Sequence, residues 1–358
     1  MLKIKTLTLQ EMVAKASKGV GNNRLVPMTT LMCLQVKDGE FTILTTDDVN
    51  YLYVREPMDA EDFYTVVPAE QFIKLVAKLT SEETVLNVKD NCLEVIANGT
   101  YKIAIQSDVD GSVVRFTDPV QTQTESAEHL GVVGMTTIKA ILQSLKPALA
   151  VTMERPQYTN YYVGDTVLAT DTFKISSLNV SVFEKPFLIP APLMALLDVI
   201  PADQDVAVGQ VGSCLIFATP CALVYGPVDE NVTSFNIDAI KQLMAMEYSS
   251  RCTLDKLTVL QALDRISLFI GVFDNGVLNI EFGADGLRIS SKASNGDEVI
   301  PYVNAENIQP MTSIISLDRL KAQIKAQSGD TVEMFFEDGK PLKMVDESLG
   351  LTSIVALE

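Results

Sequence analysis

The acidic pairs Asp47-Asp48 and Glu82-Glu83 are the residues whose type and spacing could support hydrolysis, because neighbouring carboxylates can hold a divalent cation that activates water. Both lie on expected hairpin or loop edges with no supporting ligands nearby, which predicts solvated surface. The stretch DVDGSVVRF, 108–116, opens like a calcium loop, but its twelfth position is Pro119 where a bidentate glutamate is needed. His129, the single histidine, has no metal-ligand or catalytic spacing around it. Cys33, Cys92, Cys214, Cys221 and Cys252 form no C-x-x-C pair, and free thiols in a reducing compartment are expected. The sequence carries no phosphate loop, no nucleophile elbow and no paired-histidine zinc motif. No catalytic residue, metal or cofactor is expected, and an enzyme on this scaffold would have to show metal-dependent turnover that requires Asp47.

What remains is the chemistry of lysine with phosphate. The net charge is −18, with 28 basic and 46 acidic residues, which taken alone argues against nucleic acid. The charges are unevenly placed. Six helix-like windows hold eleven basic residues: Lys15, Lys18, Lys74, Lys78, Lys139, Lys146, Lys256, Arg265, Arg319, Lys321 and Lys325. They hold six acids, Glu11, Glu70, Asp198, Asp255, Asp264 and Asp318, so the windows are net +5 and the rest of the chain −23. Lys74/Lys78 and Lys321/Lys325 are i, i+4 pairs with no acidic partner expected. If equivalent helices share one surface, the lysines form a positive track that meets DNA phosphates without reading sequence. The bland alternative is a set of solvated helix faces.

The elements that must position this track form a repeat. The windows are 10–19, 69–79, 136–147, 191–200, 255–270 and 318–327, and in the third Ile138, Ile141, Leu142 and Leu145 mark one helical face. Thr136, Asp255 and Asp318 read as caps and Pro192 as a first-turn residue. Each window precedes a strand, a tight polar turn and a further strand. The turns are KDGE, VKDN, VGDT, VGSC, GADG and EDGK, at 37–40, 88–91, 163–166, 211–214, 283–286 and 337–340. Gly and Asn/Asp tolerate the positive φ that hairpins need. Gaps between successive turn markers, 52, 75, 47, 73 and 53 residues, alternate short and long, so the modules pair. The expectation is an α+β chain of three similar domains, 1–120, 125–246 and 249–358, each of two helix-plus-strands modules. Thr46-Asp47 and Thr170-Asp171 are then the same corner in successive domains. No apolar run reaches the roughly 18 residues of a membrane span, and MLKIKTLTLQEMV shows no secretion signal, so a cytoplasmic protein is expected.

The ordered series NNRLVPMTTLMCLQV (22–36), TVVPAEQFIKLV (65–76), YTNYYV (158–163) with VLATDTFKISSL (167–178), and FNIDAIKQLM (235–244) resembles the sliding clamp of bacterial DNA replication, the beta subunit of DNA polymerase III, as a divergent member. The resemblance covers nearly the whole chain. It implies a DNA clamp fold and a head-to-tail homodimer closing a ring around duplex DNA, helices lining the hole and antiparallel sheets outside. Such clamps are not enzymes; they are loaded by an ATP-driven clamp loader and tether polymerases through short peptide motifs. By position, Arg24, Tyr161 and Tyr162 match DNA-facing residues of the family. A partner-peptide pocket maps onto Val163, Thr170, Thr172, Phe173, Lys174 and Ile175, onto Ile237, Lys241 and Gln242, and onto the tail Ser353, Ile354, Val355, Ala356 and Leu357. The dimer seam would pair the edge around Tyr101 and Ile103 with the one around Leu268 and Phe269.

The chain departs from the family at Thr172-Phe173-Lys174, commonly Gly-His-Arg, and in its tail SIVALE. Its fourth helix window has no basic residue. These departures leave open a clamp-like decoy that binds replication partners without encircling DNA.

Overall fold

Every helical window holds a helix, and each helix follows one strand and precedes three in a computed structural model of the chain. The structure describes residues 1–23, 25–108, 111–116, 118–120, 127–271, 275–293 and 295–358. The first module runs β1 (Leu2–Lys5), α1 (Thr6–Ala16), β2 (Leu31–Lys37), β3 (Glu40–Thr46) and β4 (Tyr51–Pro57). The second runs β5 (Phe63–Pro68), α2 (Ala69–Val76), β6 (Glu83–Lys89), β7 (Cys92–Ile96) and β8 (Thr100–Ala104). The third is β9 (Glu128–Gly134), α3 (Met135–Leu145), β10 (Asn160–Val163), β11 (Val167–Thr170) and β12 (Lys174–Leu178). The fourth is β13 (Phe187–Pro190), α4 (Ala191–Leu196), β14 (Asp205–Val211), β15 (Cys214–Ala218) and β16 (Ala222–Pro227). After α5 (Ile237–Met244), the fifth has β17 (Ser250–Asp255), α6 (Lys256–Ser267), β18 (Val277–Phe282), β19 (Leu287–Ser291) and β20 (Asp297–Ile300). A short β21 (Asn304–Glu306) precedes the sixth: β22 (Met311–Ser316), α7 (Leu317–Ala326), β23 (Thr331–Phe336), β24 (Leu342–Asp346) and β25 (Leu351–Val355).

Local chemistry accounts for these elements. In α1, Leu9, Met12, Val13 and Ala16 are buried at helical spacing, as are Val259, Ala262, Leu263 and Ile266 in α6. Asp255 caps α6 by accepting the Thr258 N–H at 2.7 Å. Two expected caps differ. Ser316, not Asp318, caps α7, because its hydroxyl reaches the Arg319 N–H while Asp318 lies inside the first turn. Thr136 lies inside α3, which begins at Met135. Each expected turn joins two strands, and Asp38, Asp90, Asn91, Gly212, Gly286 and Gly339 adopt the positive φ those turns require.

The modules interlock by exchanging their first strands. β1 pairs with β6 of the second module, whereas β5 pairs with β2 of the first. The same exchange sets β9 on β14, β13 on β10, β17 on β23 and β22 on β18. Modules therefore come in pairs, in step with the alternating turn spacing.

Compactness divides the chain into two units. Unit one is Met1–Ile138 with Pro192–Val228; unit two is Lys139–Ala191 with Asp229–Glu358. Unit one contains a four-stranded sheet, β1-β6-β7-β8, and an eight-stranded one, β5-β2-β3-β4-β16-β15-β14-β9. Unit two contains a nine-stranded sheet, β13-β10-β11-β12-β25-β24-β23-β17-β21, and the four-stranded β20-β19-β18-β22. The cut falls inside 125–246 because the two sheets of that stretch fuse with different neighbours, β16 onto β4 and β12 onto β25.

Candidate functional site

The basic side chains of the helices divide into two groups. Lys15, Lys18, Lys78, Lys139, Lys146 and Lys325 have no ion-pair partner among the described residues, and Lys18, Lys78, Lys146 and Lys325 are exposed. The others are engaged. Lys74 Nζ lies 2.5 Å from Glu70 Oε1 one turn earlier on α2, and Lys321 pairs with Asp264 because α6 packs beside α7. The expectation that both i, i+4 pairs lack acidic partners is thus corrected for one member of each. Arg265 makes a two-pronged contact with Glu298 at 2.8 and 2.7 Å, and Lys256 donates to the Gln327 carbonyl. These partners hold the Glu298 and Asp264 carboxyls below the usual carboxylate range, chiefly by hydrogen bonding from Arg265 and Lys321. Arg319 stacks on Phe173. Arg24 lies outside the described residues.

Tyr161 and Tyr162 do not face a solvent-filled track. They are 1% and 5% exposed. Alternation along β10 sends them to opposite faces, but both faces are covered; the Tyr162 ring packs 5.8 Å from Phe235. Burial pushes both hydroxyls above the ordinary tyrosine range.

The two Thr-Asp corners are built alike. Thr46 Oγ1 donates to the Asn50 carbonyl at 2.7 Å, and Thr170 Oγ1 to the Lys174 carbonyl at 2.8 Å. Asp47 Oδ1 accepts the N–H groups of Val49 and Asn50, and Asp171 Oδ1 those of Phe173 and Lys174. Asp48 and Thr172 both adopt positive φ, 83° and 80°. The tight second turn thrusts Phe173 outward, 51% exposed, while Lys174 folds back 3.4 Å from Asp171.

Around this corner the expected pocket residues divide into floor and rim. Val163, Thr170, Ile175, Ser353, Ile354 and Val355 are buried, because β25 continues the sheet past β12 with Ile175 opposite Ile354. Ile237 is half-buried on the same cluster as Ile175, Ile240 and Ile354. Thr172, Phe173, Lys241 and Gln242 are exposed. Lys241 Nζ reaches Asp165 Oδ2 at 2.8 Å, and that hydrogen bond holds the Asp165 carboxyl low. The tail is tied to the corner, since Ala356 N–H donates to the Phe173 carbonyl at 2.8 Å. Ala356 and Leu357, half-buried, line a groove of about 770 Å³ with Met311, Ile314 and Pro341.

At the expected seam, Tyr101 is partly exposed on β8 while Ile103 is buried, so only the first is presented to solvent. Leu268 and Phe269, just after α6, are 80% and 50% exposed. Phe269 lies against Gly296, the residue before β20, where any Cβ would stand 2.9 Å from its ring. Both β8 and β20 are edge strands.

No family model matches the chain. The Beta sliding clamp of Staphylococcus aureus is 21% identical over 349 residues, spanning 90% of this chain and 89% of that protein. Among solved structures, the beta subunit from the DNA polymerase of Streptococcus pyogenes is similar with a TM-score of 0.86 at 14% identity, covering 100% of this chain and 99% of its own. The DNA polymerase sliding clamp of Bacillus subtilis gives 0.81 at 16% identity, covering 100% and 98%. The fold is that of the bacterial sliding clamp. In sequence the chain is similar to the Beta sliding clamp over nine-tenths of its length, and in fold to these clamp structures over all of it.

On this sliding-clamp fold, Met311, Ile314 and Pro341 join the tail groove although sequence reasoning did not single them out. Their only signal was membership in apolar-polar alternation near a turn, which is shared with every core strand. The acidic pair Asp47-Asp48 is explained by its turn, and no group of three or more His, Cys, Asp or Glu among the described residues could hold a metal ion. No helix among them is long and apolar enough to cross a membrane.

Proposed function

We propose that the chain acts as a DNA sliding clamp: a non-catalytic homodimer of six similar domains that encircles duplex DNA and tethers a replicative polymerase and other partners. One observation carries this reading. Each module's three-stranded run ends on an outer strand, and of these six strands four are joined two by two, β4 to β16 and β12 to β25, both antiparallel. The two left over, β8 and β20, are equivalent edge strands, paired among the described residues on one side only, with β7 and β19. An open edge is a template for another strand. A second copy, placed head to tail, would set β8 of one chain on β20 of the other, with Tyr101 and Phe269 at the seam, and repeat the pattern around a ring. In this reading each interlocked pair of modules is one domain, 1–120, 125–246 and 249–358.

In that ring the unpaired helix lysines would face the duplex phosphates, and a partner peptide from the polymerase or clamp loader would dock between Phe173, α5 and the tail groove. An apolar cleft with a polar rim suits a short peptide motif.

Light scattering after gel filtration tests the assembly. One chain is 39.1 kDa, so a persistent species at twice that mass is expected, followed by retention on circular but not linear DNA. A monomer at every concentration would overturn the ring. The competing reading, a partner-binding decoy that does not encircle DNA, is favoured by the internal pairing of Lys74, Arg265 and Lys321. That monomer result would support it.

A further inference from the structure

Beside the second Thr-Asp corner, within unit two, four cations differ in how far the fold satisfies them. Lys174, Lys241 and Lys340 lie 3.4, 2.8 and 2.8 Å from the carboxylates of Asp171, Asp165 and Glu337. Arg319 Nη1 instead stands 3.8 Å from Glu358 Oε1, beyond hydrogen-bond reach, and the guanidinium donates no hydrogen bond among the described residues. It is nonetheless held in place: it sits in the capped first turn of α7, and its Cζ lies 4.0 Å from the centroid of the Phe173 ring. An immobilised guanidinium with unspent donors at the rim of an apolar groove is a ready receptor for a carboxylate. Glu358 lines that groove too. Its N–H donates to the Ile314 carbonyl at 2.8 Å, so its backbone is tied down while its half-exposed side chain is free to turn away.

We infer that Arg319 selects partner peptides carrying a glutamate or aspartate next to their apolar anchors, and that Glu358 holds the place of that carboxylate until a peptide arrives. The inference rests on the peptide-docking reading above and adds the chemistry of the peptide. The net charge of −18 repels an acidic peptide at long range, so a preference for acidity has to come from a local cation. Arg319 is the one of the four whose carboxylate contact is longest, and a half-exposed pair without a hydrogen bond costs little to break. An incoming carboxylate that reaches two of its N–H groups gains more than the contact it displaces.

The test is fluorescence anisotropy of the full chain with labelled peptides from the clamp-binding segment of a replicative polymerase. Each position flanking the apolar anchors is Glu in one peptide and Gln in its twin. At one position the Glu peptide is expected to bind about tenfold more tightly than its twin. Arg319→Gln should bring that ratio to one whatever the absolute affinities. A purely structural role would not do this, since lost support for Phe173 weakens both twins alike. Glu358→Gln should tighten the Glu peptide by roughly threefold, and it decides alone should Arg319→Gln misfold. Equal binding of the twins at every position, a ratio that survives Arg319→Gln, or no gain in Glu358→Gln overturns the inference while peptide docking stands. A wild-type chain that binds none of the peptides would overturn the docking reading itself.

Discussion

The guanidinium of Arg319 lies 4.0 Å from the centroid of the Phe173 ring, joining helix α7 to the Thr-Asp corner that precedes β12. On its other side Arg319 Nη1 stands 3.8 Å from Glu358 Oε1. A helix cation expected to meet solvent is thus spent on holding an exposed aromatic ring beside the tail.

Separate and joint replacement of Arg319 and Phe173 by alanine should reveal a coupling of about 0.5–1 kcal/mol in urea unfolding, the range of a partly exposed cation–π pair. Additive effects would mean the stacking contributes nothing. Phe173→Ala should also weaken capture of a polymerase-derived clamp-binding peptide by roughly tenfold, as loss of an aromatic anchor does. Unchanged affinity would remove Phe173 from the docking site.

Phe269→Asp should yield a folded monomer. The ring is half exposed in the single chain, so a carboxylate there costs the fold little, whereas it would place a charge in the proposed β8–β20 seam. The expected mass is 39.1 kDa with an unchanged circular dichroism spectrum. A variant that still dimerises would place the seam elsewhere.

Gln323 is buried on α7, and its Oε1 accepts the Ser176 hydroxyl at 2.7 Å. Ser353 and Gln327 complete this buried polar cluster, Gln327 Nε2 reaching Ser353 Oγ at 3.2 Å. Gln323→Ala leaves the Ser176 hydroxyl without that partner and opens a cavity where β12 meets β25. A loss of roughly 2–4 kcal/mol in denaturant unfolding is expected. A loss below about 0.5 kcal/mol would show that the junction relaxes around it.

Asp346 should make stability depend on pH in the acid range. Burial acts to raise its pKa, but hydrogen bonds from Ser348 and Ser328, reinforced by the Leu349 N–H, prevail and hold it at about 2, below the ordinary 3.8. A depressed carboxylate stabilises the folded state above its unfolded pKa, and that contribution disappears as pH falls from about 3.8 through about 2. Asp346→Asn should therefore lose about 1–2 kcal/mol at neutral pH, discounted for partial exposure, and the gap to the wild type should close by pH 2. A gap independent of pH would assign the loss to shape instead of charge.

The hairpins were legible because their chemistry is local: only a few residue types accept positive φ, and they stand at Asp38-Gly39, Asp90-Asn91 and Gly339. The helices were legible because burial leaves a periodic stripe, as at Leu9, Met12, Val13 and Ala16. The shared corner was readable too, since Thr and Asp at fixed offsets make the same hydrogen bonds at Thr46 and Thr170. Tertiary structure alone decided what lies beside what. β1 pairs with a strand some eighty residues away, and no local pattern distinguishes that partner from β2. Equally, Asp264 neutralises Lys321 only because two helices pack together, and Tyr161 loses solvent only because β10 is covered on both faces. Turn and helix preferences are properties of a few consecutive residues, whereas burial and ion pairing depend on neighbours that only the folded chain brings into contact.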